Sequence, residues 1–351
     1  MLRKNGKRLT LQFHITGRCN LQCKHCYRTE GNVETLTLSD VKMVIDQFLA
    51  LLKKYNEFHG IKKRGHVNIT GGEPFFRDDI KDILRYLGDN NSLITYAVLT
   101  NGSFLTQEMI ELLKETKVSF VQLSIDGNED MHNQLRAAGD YQRVFHVAEL
   151  LVQNDIRTYI SFTANKKNMR YLPVVARACR RIGVHKLWSD RLVPIGNGKE
   201  IQELEIAEKE LPDYLRYLKK AKGNWITNKL YPRTEVTQNR ALQFLGTDCS
   251  VYSCSAGKSL IVVDEFGNIM PCRRMPIICH DIFSSTLENE YFNNPVLIDL
   301  RKETIPKECV RCEYSPACMG GAKCQSFAKT GDYKCADPAC PKRRNFEKNV
   351  F

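Results

Sequence analysis

Gly17-Arg18-Cys19-Asn20-Leu21-Gln22-Cys23-Lys24-His25-Cys26-Tyr27 is the stretch that decides the reading of this chain. Its thiols are spaced C-x3-C-x2-C. A tetrahedral structural metal site takes four protein ligands. A cubane iron–sulfur cluster held by only three thiolates keeps one iron open to another molecule. Just upstream, Leu9, Leu11, Phe13 and Ile15 alternate with other residues, the period of a half-buried strand. The strand runs straight into the cysteine loop.

The same strand-then-loop pattern recurs outward from that point. A helix is expected from Ser39, a good N-cap, with Val41, Val44, Ile45, Phe48, Leu49 and Leu52 on one face. Further strands are expected over 67–70, 93–99, 120–125, 158–162 and 186–193, with helices over 80–87, 107–115, 144–152 and 170–181 between them. Six β/α repeats imply α/β architecture with a parallel sheet, as a partial barrel or a doubly wound sheet. In such sheets chemistry gathers at the carboxyl ends of the strands. There the sequence places the cysteine loop, Gly71-Gly72-Glu73-Pro74, Asn101-Gly102 and Asp126-Gly127.

The chain has 351 residues, 42% hydrophobic and 26% charged, ordinary values for a protein that buries a core. No apolar run is long enough to span a membrane, and the basic start lacks the apolar stretch of a signal peptide. Fourteen cysteines without a secretion signal point to metal binding in a reducing cytoplasm rather than to disulfides. Three lie at 19–26, one is Cys179, and ten fall between Cys249 and Cys340. The net charge of +12 suits an acidic partner. It reads first as a solvated basic surface, with no basic block interleaved with stacking aromatics and nucleic acid disfavoured. Gly196-Asn197-Gly198 marks a break, 204–221 is a charged helix, and from 247 the chain is short segments between cysteines.

The thiol spacing followed by Tyr27, with Gly71-Gly72-Glu73-Pro74 after the second strand, resembles the radical S-adenosylmethionine (SAM) enzymes over about residues 8–195. The resemblance implies a partial (β/α)6 TIM-like barrel. It implies that Cys19, Cys23 and Cys26 hold a 4Fe–4S cluster whose open iron chelates SAM, and that one added electron yields a 5′-deoxyadenosyl radical. By the same resemblance Gly71, Gly72 and Glu73 contact the methionyl amino group, Ser124 and Asp126 the ribose and carboxylate, Arg136 the carboxylate, and Tyr27 the adenine. The glycines would let backbone approach the ligand closely. Read as residues alone, the same groups allow a zinc site completed by His25, a turn carboxylate at Glu73, and turn and capping roles for Ser124, Asp126 and Arg136. Asn101-Gly102 reads as a tight turn, His14 and His132 as packing or surface histidines, and Cys179 as a small buried hydrophobe.

The C-terminal cysteines resemble the SPASM extension of these enzymes, which carries two auxiliary 4Fe–4S clusters, so three clusters are expected in all. Ligands carried over by order place Cys249, Cys254, Cys272 and Cys324 on one cluster and Cys309, Cys312, Cys318 and Cys340 on the other, leaving Cys279 and Cys335 spare. Five residues, not the common three, precede Cys324, which loosens that assignment. A zinc ribbon is the competing reading, weakened by the single C-x2-C. The implied division is a barrel over 1–195, a helical bridge over 196–246 and the SPASM module over 247–351. The implied activity is an oxidoreductase that matures a ribosomally made peptide or protein, by thioether or carbon–carbon cross-links. Expected partners are that peptide, an acidic one by charge, and a flavodoxin or ferredoxin as electron donor. A separate leader-binding protein joins them if the barrel rim does not recognise the leader itself. Arg273-Arg274 follows Cys272 where sulfatase-maturing relatives have an aspartate. That lowers formylglycine formation as the reaction and suits an acidic peptide. The same modules also serve small-molecule radical enzymes, and the cysteines taken alone would suit a zinc-stabilised nucleic-acid-binding protein.

Overall fold

The computed structural model describes residues 7–28, 35–246 and 249–343. Ten strands are present among them: β1 Thr10–His14, β2 Gly65–Thr70, β3 Ile94–Leu99, β4 Phe120–Ser124, β5 Thr158–Ala164, β6 Lys186–Arg191, β7 Glu235–Thr237, β8 Leu260–Val263, β9 Asn268–Met270 and β10 His280–Asp281. The chain divides into two compact units. One is built from the described residues of Met1–Asn20, Glu30–Gln122 and Ser255–Lys302, the other from those of Leu21–Thr29, Leu123–Cys254 and Glu303–Phe351.

In the first unit β1, β2, β3 and the start of β4 pair in parallel and in chain order. Every residue of β1 after Thr10 is buried, Gln12 and His14 included. The alternation expected of a half-exposed strand is therefore overruled: parallel strands are covered on both faces. The helix Leu38–His59 turns Val41, Val44, Ile45, Phe48 and Leu51 inward. Its N-cap is Thr37, not the expected Ser39. The Thr37 hydroxyl accepts from the Asp40 N–H, and the Asp40 carboxylate takes the Thr37 N–H, a closed capping box. Helices Ile80–Asp89 and Gln107–Glu115 follow their strands as the apolar spacing predicts. On the other side of β1, β8 adds a further parallel strand, with Leu11 level with Ile261. β8 and β9 form the hairpin that Asp264-Glu265-Phe266-Gly267-Asn268 suggests. The Asp264 carboxylate accepts from the Phe266 and Asn268 N–H groups, and Gly267 takes φ +86°.

In the second unit β5, β6 and β7 are parallel and in order. β7 falls inside the segment expected to be a helical bridge; three residues with one apolar side chain offer no period to read. Helices Asp140–Gln153, Leu172–Ile182 and Leu211–Lys222 bury their apolar stripes here. Cys179 lies wholly buried on the second of them, as a small hydrophobe. Among the described residues no helix is long and apolar enough to cross a membrane.

Candidate functional site

Within the first unit the glycine turn grips the backbone that leads into Cys19. The Gly72 N–H donates to Thr16 O (2.8 Å) and the Glu73 N–H to Arg18 O (2.7 Å). A Cβ on Gly72 would lie 2.1 Å from Arg18 O, and one on Gly71, at φ +147°, 2.2 Å from Thr16 O. Within the protein, the close approach that requires these glycines is to the chain's own cysteine loop. The buried Arg77 guanidinium ties the same region, donating to Ile15 O (2.7 Å) and Leu36 O (2.9 Å).

The Glu73 carboxylate is fully buried and engaged. Oε1 accepts from the Phe75 N–H (3.2 Å) and the Thr100 hydroxyl (2.6 Å), and Oε2 from the Asn101 N–H (2.7 Å). Asn101 then reaches the cysteine loop. Its Nδ2 donates to Asn20 Oδ1 (2.9 Å), and Asn20 Nδ2 donates to Ser103 Oγ (2.9 Å). Asn20 is the residue after Cys19. Thr100-Asn101-Gly102 is therefore more than a tight turn. A polar pair placed directly after an apolar strand was the signal for it.

In the second unit the loop's other half is held twice. The Lys24 N–H donates to Leu135 O (2.9 Å) and the Gly198 N–H to Cys26 O (3.1 Å). Gly196, at φ +57°, leaves no room for a Cβ, which would lie 2.2 Å from the Tyr27 carbonyl carbon. What reads in sequence as a break is a second glycine clamp.

Asp126 follows β4, fully buried. Its Oδ2 accepts from Arg136 Nε (2.6 Å) and lies 3.2 Å from His25 Nε2, while Oδ1 accepts from the Thr163 N–H (2.7 Å). Burial would raise its pKa, but the Arg136 guanidinium, and after it His25, holds the carboxyl well below the usual carboxylate range. Arg136 in turn reaches Cys23, with Nη1 at 3.8 Å from Sγ. Burial works against the guanidinium; the charge of Asp126, then Cys23, nevertheless drives its pKa upward. His132 is wholly buried beneath, accepting from the Asp126 N–H (3.1 Å) and facing Asp140 (3.0 Å). Asn168 Nδ2 donates to Asp126 O (3.0 Å). Ser124 Oγ pairs with Ser161 Oγ (3.1 Å). The sequence pointed to Asp126, Arg136 and Ser124 but missed Thr163, Asn168 and this use of His25.

Also in this unit, Cys309, Cys312, Cys318 and Cys340 line one cavity with Phe244 and Leu245. Burial first, then Cys340, Cys318 and Cys312, push the Cys309 thiol up to about 12. Burial and Cys340 push Cys318 up to about 11. The four thiols therefore lie close enough to feel one another's charge, as a four-thiolate site requires once protons are exchanged for metal. Behind the cavity, Arg191 at the end of β6 forms a buried pair with Asp337, with Nη1 3.2 Å from Oδ1. Asp337 also accepts from the Ala339 N–H, and a Cβ on Gly321 would touch its side chain at 2.7 Å. Cys324 is buried on the helix Lys323–Thr330, and the Cys249 thiol donates to Gln238 O (2.9 Å). Cys254 is half-buried in the second unit, and Cys272 is half-buried after β9 in the first. Arg273 and Arg274 beside it are half-buried and already have partners. Among the described residues no three His, Cys, Asp or Glu side chains stand close enough to share a single metal ion.

Residues 13–178 match the radical SAM superfamily, and the chain carries a radical SAM domain, of the class that uses a 4Fe–4S cluster and SAM. Its C-terminal cysteines fit a SPASM-type domain. Among curated relatives, the AdoMet-dependent heme synthase of Methanosarcina barkeri is 26% identical, over 96% of this chain and 97% of that protein. The antilisterial bacteriocin subtilosin biosynthesis protein AlbA of Bacillus subtilis is 28% identical, over 88% of this chain and 66% of that one. Among solved structures, native anSMEcpe with bound AdoMet and Cp18Cys peptide superposes with a TM-score of 0.74 at 18% identity, over 98% of this chain and 97% of the other. The fold thus matches the partial TIM-like barrel of radical SAM proteins, one of the two arrangements the β/α repeats allow and the one the resemblance implies.

Proposed function

We propose that this protein is a radical SAM maturase that cross-links side chains of a ribosomally made peptide. The observation that carries the reading is the cavity in which Cys309, Cys312, Cys318 and Cys340 meet. A second cluster site on the same chain, this one with four thiolates, would give an oxidative reaction somewhere to put the electron released when a new bond forms. The relatives support the same reading: one serves bacteriocin biosynthesis, and one structure of this fold holds a peptide.

In this reading Cys19, Cys23 and Cys26 hold the radical-generating cluster, which when bound supplies reductive cleavage of SAM to a hydrogen-abstracting radical. The guanidinium beside Cys23 favours its thiolate. Gly71, Gly72 and Tyr27 shape the walls for SAM. Glu73 and Asp126, with both oxygens engaged inside the protein, act as positioning residues: Glu73 through Asn101 and Asn20, Asp126 through Arg136. Ser124 stays a candidate for the ribose. Cys309, Cys312, Cys318 and Cys340 hold one auxiliary cluster, and Cys249, Cys254, Cys272 and Cys324 the other, making three. The barrel, bridge and SPASM divisions at 195 and 246, a cytoplasmic site of action, a flavodoxin or ferredoxin donor and a separate leader-binding protein complete the proposal.

A second reading has a specific observation behind it. The heme synthase relative matches along nearly its whole length, which favours a small tetrapyrrole-like substrate. One experiment separates the two. Anaerobically reconstituted, reduced protein is given SAM with either a candidate precursor peptide or a tetrapyrrole carboxylate, and products are followed by mass spectrometry. Loss of two hydrogens from the peptide supports the maturase; a mass change confined to the tetrapyrrole supports the second reading. Bound zinc in place of iron, with no 5′-deoxyadenosine formed, rejects both.

A further inference from the structure

The stretch from Tyr214 to Thr234 in the second unit carries six basic residues, Arg216, Lys219, Lys220, Lys222, Lys229 and Arg233, and no acid. Tyr217, Trp225 and Tyr231 are interleaved with them, so the chain does contain the basic, aromatic block that composition alone hid. Within it lies the six-residue helix Trp225–Leu230. Asn224 caps it, its Oδ1 accepting from the Thr227 N–H (3.0 Å), after Gly223 at φ +74° has ended the preceding helix. No side chain of this helix is buried. Trp225 is 73% exposed, Leu230 68%, Ile226 48% and the following Tyr231 41%.

Such a helix is too short to hold its shape by backbone bonds alone, and helices in proteins draw their stability from an apolar face packed on something. Here Ile226 and Leu230, one turn apart, share a face on which neither side chain is buried. Four large apolar side chains clustered in solvent mark an interaction surface. The cations along the same stretch select the sign of what binds: Lys219, Lys220, Lys229 and Arg233 are all exposed.

We propose that the Trp225–Tyr231 segment docks an acidic peptide stretch bearing apolar side chains, holding the substrate precursor while another part of it is modified. This rests on the maturase reading and extends it by naming where the precursor is held. A peptide is favoured over nucleic acid because exposed Ile226 and Leu230 match aliphatic side chains, whereas Trp225 and Tyr231 would serve either partner.

The chain has two tryptophans, and Trp188 is covered by Arg240 at 4.2 Å, so Trp225 is a built-in reporter. The test titrates full-length protein with a short peptide of Glu and Leu, following tryptophan emission and the anisotropy of labelled peptide. Expected are a blue shift, affinity that falls as salt rises, and at least about a tenfold loss in the W225S/L230S variant. The separate K219E/K220E/K229E variant, with unchanged circular dichroism, should lose binding too. No binding, or binding equal in all variants, overturns the proposal. So does tighter binding of oligothymidylate or of anionic phospholipid vesicles at this segment, which would make it a nucleic-acid or membrane surface. Binding is read without radical chemistry, so the two failures stay distinct: a whole precursor peptide that docks here yet is left unmodified by the reconstituted protein counts against the maturase reading alone.

Discussion

Replacing Glu73 by Gln tests the lock between the glycine turn and the strand that follows it. The substitution keeps volume and shape but turns one carboxylate oxygen into an NH2 donor. With that NH2 at the Oε2 position it faces the Asn101 N–H, donor against donor. Turned the other way it faces the Phe75 N–H, while the Thr100 hydroxyl can rotate to accept. The second orientation costs less, yet both leave a buried N–H without an acceptor and remove the charge from three bonds. A hydrogen bond to a charged group contributes about 1.5–3 kcal/mol, and a stranded buried donor costs about 1–3 kcal/mol. With partial relaxation the expected loss is roughly 2–4 kcal/mol, on the order of 3–5 °C in Tm for a chain of this length. Thermal denaturation gives the total. Amide hydrogen exchange gives the location: Phe75 and Asn101 should lose protection while Leu113, buried on its own helix, keeps it. A Tm within about a degree of the parent, or a uniform loss of protection, would refute the claim that this carboxylate is a local lock.

Gly72→Ala and Gly196→Ala should each impair the cysteine loop, because the added methyl meets backbone at 2.1 and 2.2 Å and backbone cannot swing aside. Overpacking of this kind costs about 1–3 kcal/mol or more, and iron uptake by the purified protein should fall in both. Arg191→Met strands the buried Asp337 carboxylate, an expected loss of about 3–5 kcal/mol in urea unfolding; adding Asp337→Asn should recover part of it. For His66, burial first and Arg8 second push the pKa from the ordinary 6.5 down to about 3, so the folded protein keeps it neutral. A depressed folded pKa contributes stability that is complete above pH 6.5 and drains away as pH falls toward 3. The unfolding free energy should therefore drop by up to about 1.4 kcal/mol per pH unit in that window from this group. His66→Asn should flatten the slope between pH 6 and 4 relative to the parent.

What could be read from the sequence was what lies close together along it. β1 and the thiols that follow it are contiguous, so strand period and ligand spacing appeared in one glance. The helices after β2, β3 and β5 showed the same apolar stripes in sequence and in structure. Partners far apart in the chain were not legible. Nothing in Gly196-Asn197-Gly198 announces that Cys26 and Tyr27 will lie against it. Nothing near Arg191 announces Asp337, 146 positions later. Gly71 and Gly72 stood out in the sequence, but their neighbour in the cysteine loop did not, because a glycine shows only that something is close. β7 failed for lack of length, and β1's second buried face because polar Gln12 and His14 fill it.

The two glycine clamps also set an order of events during synthesis. The thiols at 19–26 leave the ribosome first, yet the backbone that shapes them comes much later: the turn at Gly71-Gly72, and then the turn at Gly196–Gly198 that receives the Cys26 carbonyl. Until both have emerged, the nascent chain presents three reactive thiols on an unshaped loop. Iron delivered early would meet flexible ligands; iron delivered after about half the chain has been made would meet a formed cradle. The cell therefore gains by loading this loop after translation, and the exposed interval before that is when its thiols are most open to oxidation.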